Sequence, residues 1–288
     1  MSASSEMDRS DLSPGQKFAA ACAARGTQAR VDFQTTITDL FPAFKRRPRI
    51  AVRALFKVAR ATQDPVPYWF ETQPQSAPAV PVDDIQLRPE AAFEFHFGKT
   101  KLQPTTAWIQ IPLPLLDEPD GLAAFIDYRL LVRLCTAENQ ALARGRGGDR
   151  VLGLLQTPGI IRVPALKDPI SSLLAACDRV EQMGGSADGI LINPADYYRY
   201  LVGHGSLLSD LASMGVRFAR ARMVDAGTCI VGDFTAAATI VDSGRSVICF
   251  AEPPPGTFPR EGLAVCGEIY EALCVHLPTH FFIVSLVP

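Results

Sequence analysis

Prolines crowd the stretch between Pro65 and Pro119, and nothing else in the sequence limits the fold as strongly. Each proline fixes φ and removes a backbone donor, so the stretch cannot supply helix interiors and is confined to edge strands and loops. Inside it, Phe93, Phe95 and Phe97 alternate with Glu94 and His96, the period of a strand with one apolar face. Gly98, Lys99 and Thr100 read as a turn, and the chain returns from Thr105 to Ile111 with Trp108 midway. The two runs together predict a long two-stranded ribbon. A lone hairpin is marginal in water, so the aromatic face needs a support, either a neighbouring chain or this chain's own core.

The sequence beyond the proline stretch changes period. Asp120 is placed to cap a helix over residues 121–144, in which Leu122, Phe125, Ile126, Leu130, Leu134 and Leu142 form an apolar stripe. At 1.5 Å per residue this helix is about 36 Å long, and Gly145, Gly147 and Gly148 end it. Asp168 and Pro169 open a second helix, which stops at Gly184 and Gly185. A short buried strand over 189–192 leads into Asn193 and Pro194, the start of a helix through Tyr200. From there short strands dominate: 218–223, 228–231, 238–241, 247–251, 263–275 and 281–286. The fold class is α+β, with helices in the middle and antiparallel strands at the end.

Length and composition fit one large domain or two intertwined ones, since 288 residues at 48% hydrophobic can bury a sizeable core. A net charge of −2 argues against a surface built throughout to grip nucleic acid. Seven cysteines, odd in number and never in a C-x-x-C pair, point to reduced thiols in a cytosolic compartment. Residues 1–28 read as a flexible arm without the basic start and apolar run of a secretion signal, and no apolar run of about 18 residues predicts a membrane helix. The basic run Lys45, Arg46, Arg47, Arg49 and Arg53 is a candidate inner-surface arm or a solvated helix face.

Catalytic and cofactor motifs are not predicted. His276 and His280 are four apart, but Pro278 between them denies the helix that would align them as ligands. The glycines at 145–148 follow a helix and lack the G-K-[ST] ending of a phosphate loop, and no strand leads into Gly203-His204-Gly205-Ser206 as a nucleophile elbow requires. No cofactor, no metal site and no enzymatic activity are expected.

Several segments, taken in order, resemble the major capsid proteins of tailed phages and the related encapsulins. These are residues 108–117 from Trp108, the long helix to Glu138-Asn139-Gln140, the Gly145-Arg146-Gly147-Gly148 turn, the run 189–197, and the later stretches 227–234 and 258–263. The resemblance implies an N-terminal arm and helix over 1–63, an extended hairpin region over 64–117, a peripheral domain over 118–167 and 242–288 holding the spine helix, and an apical domain over 168–241. It also implies inter-subunit anchoring by Phe93, Phe95, Phe97, Lys99 and Trp108, and a pore loop containing Gly203, His204, Ser206 and Asp210. Some relatives weld neighbouring subunits through a lysine and an asparagine. Lys99 and Glu268 match two of the three positions involved, but Glu261 stands where the asparagine would, so no cross-link is expected. The implied function is an icosahedral, encapsulin-type shell made of copies of this chain, enclosing a cargo protein and with no membrane partner. A phage capsid packaging DNA is the alternative, and nucleic acid is a partner only in that case.

Overall fold

The computed structural model describes residues 12–33, 52–72, 95–251 and 263–287. Two five-stranded sheets organise the chain, and one long helix packs against the first.

The first sheet runs β1 (Arg30–Phe33), β10 (Ala238–Phe250), β11 (Leu263–Val275) and β5 (Gln103–Ile111), with β2 (Lys57–Arg60) pairing in parallel beside β10. Strand 238–250 is continuous where two strands are expected; only a register shift between Asp242 and Ser246 interrupts its ladder with β11. Alternation decides its faces: Ala107, Ile109 and Ile111 of β5 and Val265 and Ile269 of β11 point to one side. There they meet Leu122, Ile126, Leu130 and Leu134 of the spine helix, forming the first core.

The spine consists of α2 (Pro119–Phe125), a π-helical turn (Ile126–Leu130) and α3 (Leu131–Arg144). It begins one residue before the expected cap, so Asp120 lies in its first turn, near the positive end of the helix dipole, and makes no capping bond. The π turn marks a docking point. It presents Asp127 to the N-terminus of α1 (Pro14–Arg25), where Ser13 Oγ donates to Asp127 Oδ2 at 2.5 Å and the Gly15 amide donates to Oδ1 at 2.7 Å. Burial raises the Asp127 pKa, and these two bonds oppose the rise. A Cβ on Gly15 would stand 2.2 Å from the Ala123 carbonyl oxygen, so only glycine allows this approach. Asp127→Ala leaves a buried amide unpaired and is expected to cost about 1–3 kcal/mol. The check is a lowered melting temperature together with faster proteolysis inside residues 14–25.

The second sheet has the order β6 (Ile161–Val163), β12 (Phe281–Ser285), β9 (Thr228–Gly232), β7 (Gly189–Ile192) and β8 (Arg217–Arg220). Its outer pairs β6–β12 and β7–β8 are parallel, and its inner pairs are antiparallel. One face receives α4 (Pro169–Gln182), opened as expected by Asp168, whose Oδ1 accepts from the Ser171 amide at 2.8 Å. The other face packs on Leu142, Leu154 and Phe234, so the end of the spine helix reaches both layers. Residues 205–213, expected as part of a loop, form helix α5 (Gly205–Ser213), because Leu211 is drawn into the core beside Leu201 and Val216.

Candidate assembly surfaces

The ribbon exists, but with a different partner strand. β4 (Phe95–Thr100) pairs antiparallel with β3 (Val66–Glu71), and β5 pairs with β11. Gly98, Lys99 and Thr100 lie within β4, so the expected turn there is strand. The reason is packing on both sides. β5 is held by its apolar alternation over the spine helix, and the Tyr68 ring of β3 lies against Gly98.

Trp69 and Phe97 face each other in register, with ring centroids 5.0 Å apart in an edge-on arrangement. Their exposures are 59% and 52%, high for two large rings in contact. Lys99 Nζ lies 6.0 Å from the Phe97 centroid, within reach of its π face. The ribbon's root is fixed to the body. The Glu71 amide donates to the His276 carbonyl at 2.9 Å, His276 Nδ1 lies 2.9 Å from the Trp69 carbonyl, and Val66 packs with Val241 and Cys274. The ribbon is therefore held along its base while its aromatic pair faces outward.

The expected anchors divide. Phe97 and Lys99 sit on this ribbon, and Phe95 lies in β4 opposite Glu71. Trp108 is half-buried in the first sheet, opposite Cys266, and so is not part of the ribbon. Phe93 lies outside the described residues. Sequence reasoning passed over Trp69, whose run Pro65-Val66-Pro67-Tyr68-Trp69-Phe70 holds the missed signal: two prolines followed by three aromatics.

The residues expected at a pore cluster around the start of α5. Gly203, His204, Ser206 and Asp210 are all exposed, the last two on the helix itself. Tyr198, Val202 and Met214 nearby are 59%, 52% and 67% exposed. The Arg220 guanidinium lies 5.1 Å from the Tyr197 ring centroid and 5.5 Å from that of Tyr198. This end of the second sheet is a second apolar surface.

Of the expected basic arm, Lys45, Arg46, Arg47 and Arg49 lie outside the described residues. Arg53 does not face a lumen. It is 2% exposed, and its guanidinium meets Glu138 of α3 at 2.8 Å, Glu271 of β11 at 3.2 Å, and Asp242 of β10. Three carboxylates around one cation in a dry site outweigh any preference of a basic run for solvent. Burial raises the pKa of both glutamates; for Glu138 the Arg53 charge opposes this, and for Glu271 the neighbouring Glu138 adds to it.

Among the described residues no group of three or more His, Cys, Asp or Glu side chains could hold a metal, and no helix is long and apolar enough to cross a membrane.

No family model matches the sequence. The chain is 24% identical over 245 residues to the major capsid protein of Enterobacteria phage HK97; the match covers 80% of this chain and 63% of that protein, less than two thirds of its length. Among solved structures it is similar to the virus-like particle from Pyrococcus furiosus, with a TM-score of 0.60, 13% identity, and coverage of 86% of this chain and 96% of that one. The structure from Mycobacterium phage Bobi gives a TM-score of 0.58 at 13% identity over 85% of this chain and 93% of that one. The capsid of the native GTA particle gives 0.56 at 13%, over 84% and 91%. These relatives bear the names of capsids, particles and phages. Spine helix, rooted ribbon and two-sheet body thus give this chain the fold of the tailed-phage capsid and encapsulin superfamily.

Proposed function

We propose that this protein is the subunit of a self-assembling icosahedral shell of the encapsulin type, enclosing a cargo protein, and that its role is structural and not catalytic. One observation carries the reading: the Trp69–Phe97 pair is 59% and 52% exposed on a ribbon that hydrogen bonds fix to the body through β3. Aromatic residues supply most of the energy at protein interfaces, so two large rings exposed side by side suit contact with a second copy. Repeated modest contacts then close into a durable particle. The similarity to the Pyrococcus furiosus virus-like particle along 96% of its length supports a shell. The sequence match to a phage capsid protein favours the second reading, a capsid packaging DNA.

Within this reading, residues 64–117 form the hairpin region, 118–167 with 242–288 the peripheral domain, and 168–241 the apical domain. β12 carries the last segment into the second sheet. His204 and Asp210 line an opening at the apical end. The shell assembles in the bacterial cytoplasm; seven cysteines without a C-x-x-C pair support the reducing compartment. Glu261 in place of an asparagine leaves the shell without a covalent weld at Lys99.

The test is Trp69→Asp combined with Phe97→Asp. The unaltered protein is expected to elute as a large particle and to show closed shells in negative stain, and the double variant as a small, folded species. Intact shells from the double variant would remove the basis of the reading. Nuclease-protected DNA inside purified shells would select the capsid, and a co-purifying protein the compartment.

A further inference from the structure

Cys249 of β10 and Cys266 of β11 are direct partners in the antiparallel ladder. Side chains on a strand alternate faces, and the residue after Cys266, Gly267, lies against Leu130 and Leu134 of the spine helix. Cys266 and its partner therefore point to the opposite face, where both are half-exposed. The same row continues to Arg30, opposite Cys249 on β1, and to Trp108, opposite Cys266 on β5. Of the other five cysteines, all are buried.

The ladder also decides how far apart the two thiols stand. The Ala251 amide donates to the Ala264 carbonyl at 3.0 Å, and Cys249 and Cys266 lie two pairs further in, so they form a pair of the same hydrogen-bonded kind. Such pairs have Cα atoms about 5.5 Å apart, within the ~4.4–6.8 Å that a disulfide spans. Closing the bond draws the two Cβ atoms together by roughly 1 Å. The fit is possible but not relaxed, the condition of a bond that reforms its thiols readily.

We propose that Cys249 and Cys266 are a cross-strand dithiol that low-molecular-weight disulfides oxidise to an intrachain disulfide, and that Glu268 holds the reaction in check. The Cys249 thiolate, beside Arg30, attacks one sulfur of the small disulfide and expels one thiolate. Cys266 then attacks the mixed disulfide and expels the second. One protein S–S bond forms, one small S–S bond breaks, and two electrons and two protons pass to the two released thiols. Glu268 restrains the second step. Cys266 Sγ lies 3.9 Å from Glu268 Oε1, and Glu268 Oε2 accepts from Tyr270 Oη at 3.0 Å, which keeps the carboxylate in place. Burial and the Glu268 charge push the Cys266 thiol up to about 11, and the same two causes raise Cys249, with Arg30 opposing.

The experiment incubates the reduced full-length protein with oxidised glutathione at pH 8, alkylates, unfolds, alkylates again with a second reagent, and maps peptides by mass spectrometry. It is run on assembled particles and on the Trp69→Asp, Phe97→Asp variant, so that a face covered by assembly is not mistaken for an unreactive pair. The expected result is a linked peptide joining the 249 and 266 segments in at least one of the two samples, undone by dithiothreitol, with Cys135, Cys229 and Cys274 still reduced. Glu268→Gln is expected to speed closure by about threefold, since one unit less in thiol pKa gains thiolate tenfold and loses part of that in nucleophilicity. Stable glutathione adducts or free thiols at both positions in both samples would overturn the proposal. An unchanged rate in Glu268→Gln would remove the role given to that carboxylate.

Discussion

Arg53→Ala is expected to destabilise the subunit by about 3–5 kcal/mol, the cost of leaving buried acids without their cation. Arg53 bonds Glu138 and Glu271 at 2.8 and 3.2 Å and also Asp242, so it ties together the spine helix and both central strands of the first sheet. Its neighbour Val52 donates from its amide to Asn139 Oδ1 at 2.8 Å, so the segment is held to the spine twice. Thr105 Oγ1 donates to Glu271 Oε1 at 3.2 Å, bringing in β5. One cation among three carboxylates cannot balance them all, and the raised pKa of Glu271 means that the folded state keeps a proton there which the unfolded chain releases. The sign follows: stability is full at the acid end of the ordinary carboxylate range and declines as pH rises toward the folded-state pKa. Glu271→Gln imitates the protonated form, so it is expected to keep the fold and to flatten that decline. Denaturant melts of both variants across pH provide the check; Arg53→Ala as stable as the parent, or Glu271→Gln as damaged as Arg53→Ala, would contradict this account.

Gly153→Ala should be comparably severe for a different reason. Where the spine helix ends, the chain turns back so that the Gly153 amide donates to the Gly145 carbonyl at 2.9 Å. A Cβ on Gly153 would lie 2.4 Å from the Gly145 nitrogen, 2.6 Å from the Arg144 nitrogen and 2.7 Å from the Ala141 oxygen. All three are backbone atoms, so no side-chain rotation can make room, and the cost is expected to reach about 3 kcal/mol or more. For a chain of this size that is a fall in melting temperature of roughly 6–12 °C. Gly148→Ala is the contrasting control, since its Cβ would have nothing within 4 Å and only its φ of 74° opposes the change.

Local signals in the sequence carried further than pairing signals. The caps at Asp168 and Asn193 act as expected, because a carboxylate or amide that accepts from an amide two or three residues on needs no tertiary context. The stripe from Leu122 to Leu142 does pack as the spine, although the π turn at 126–130 left no mark in its spacing. The ribbon was legible as a strand and not as a pair. β4 could pair with β3 or β5, and the choice rests on β11, whose strand begins more than a hundred residues later. Arg53 shows the same limit. Within its basic run it looks like a solvated charge, and only partners 85, 189 and 218 residues away make it a core residue.

The first sheet also has a temporal meaning. Among the described residues β1 and β5 find their neighbours in β10 and β11, so more than 240 residues must be translated before either of these pairs can form. The long separation makes folding slow and leaves early strands with bare edges during synthesis. The main sheet therefore cannot form until β10 and β11 have been synthesised, and the chain up to β5 waits for its partners through the making of the second sheet's first four strands.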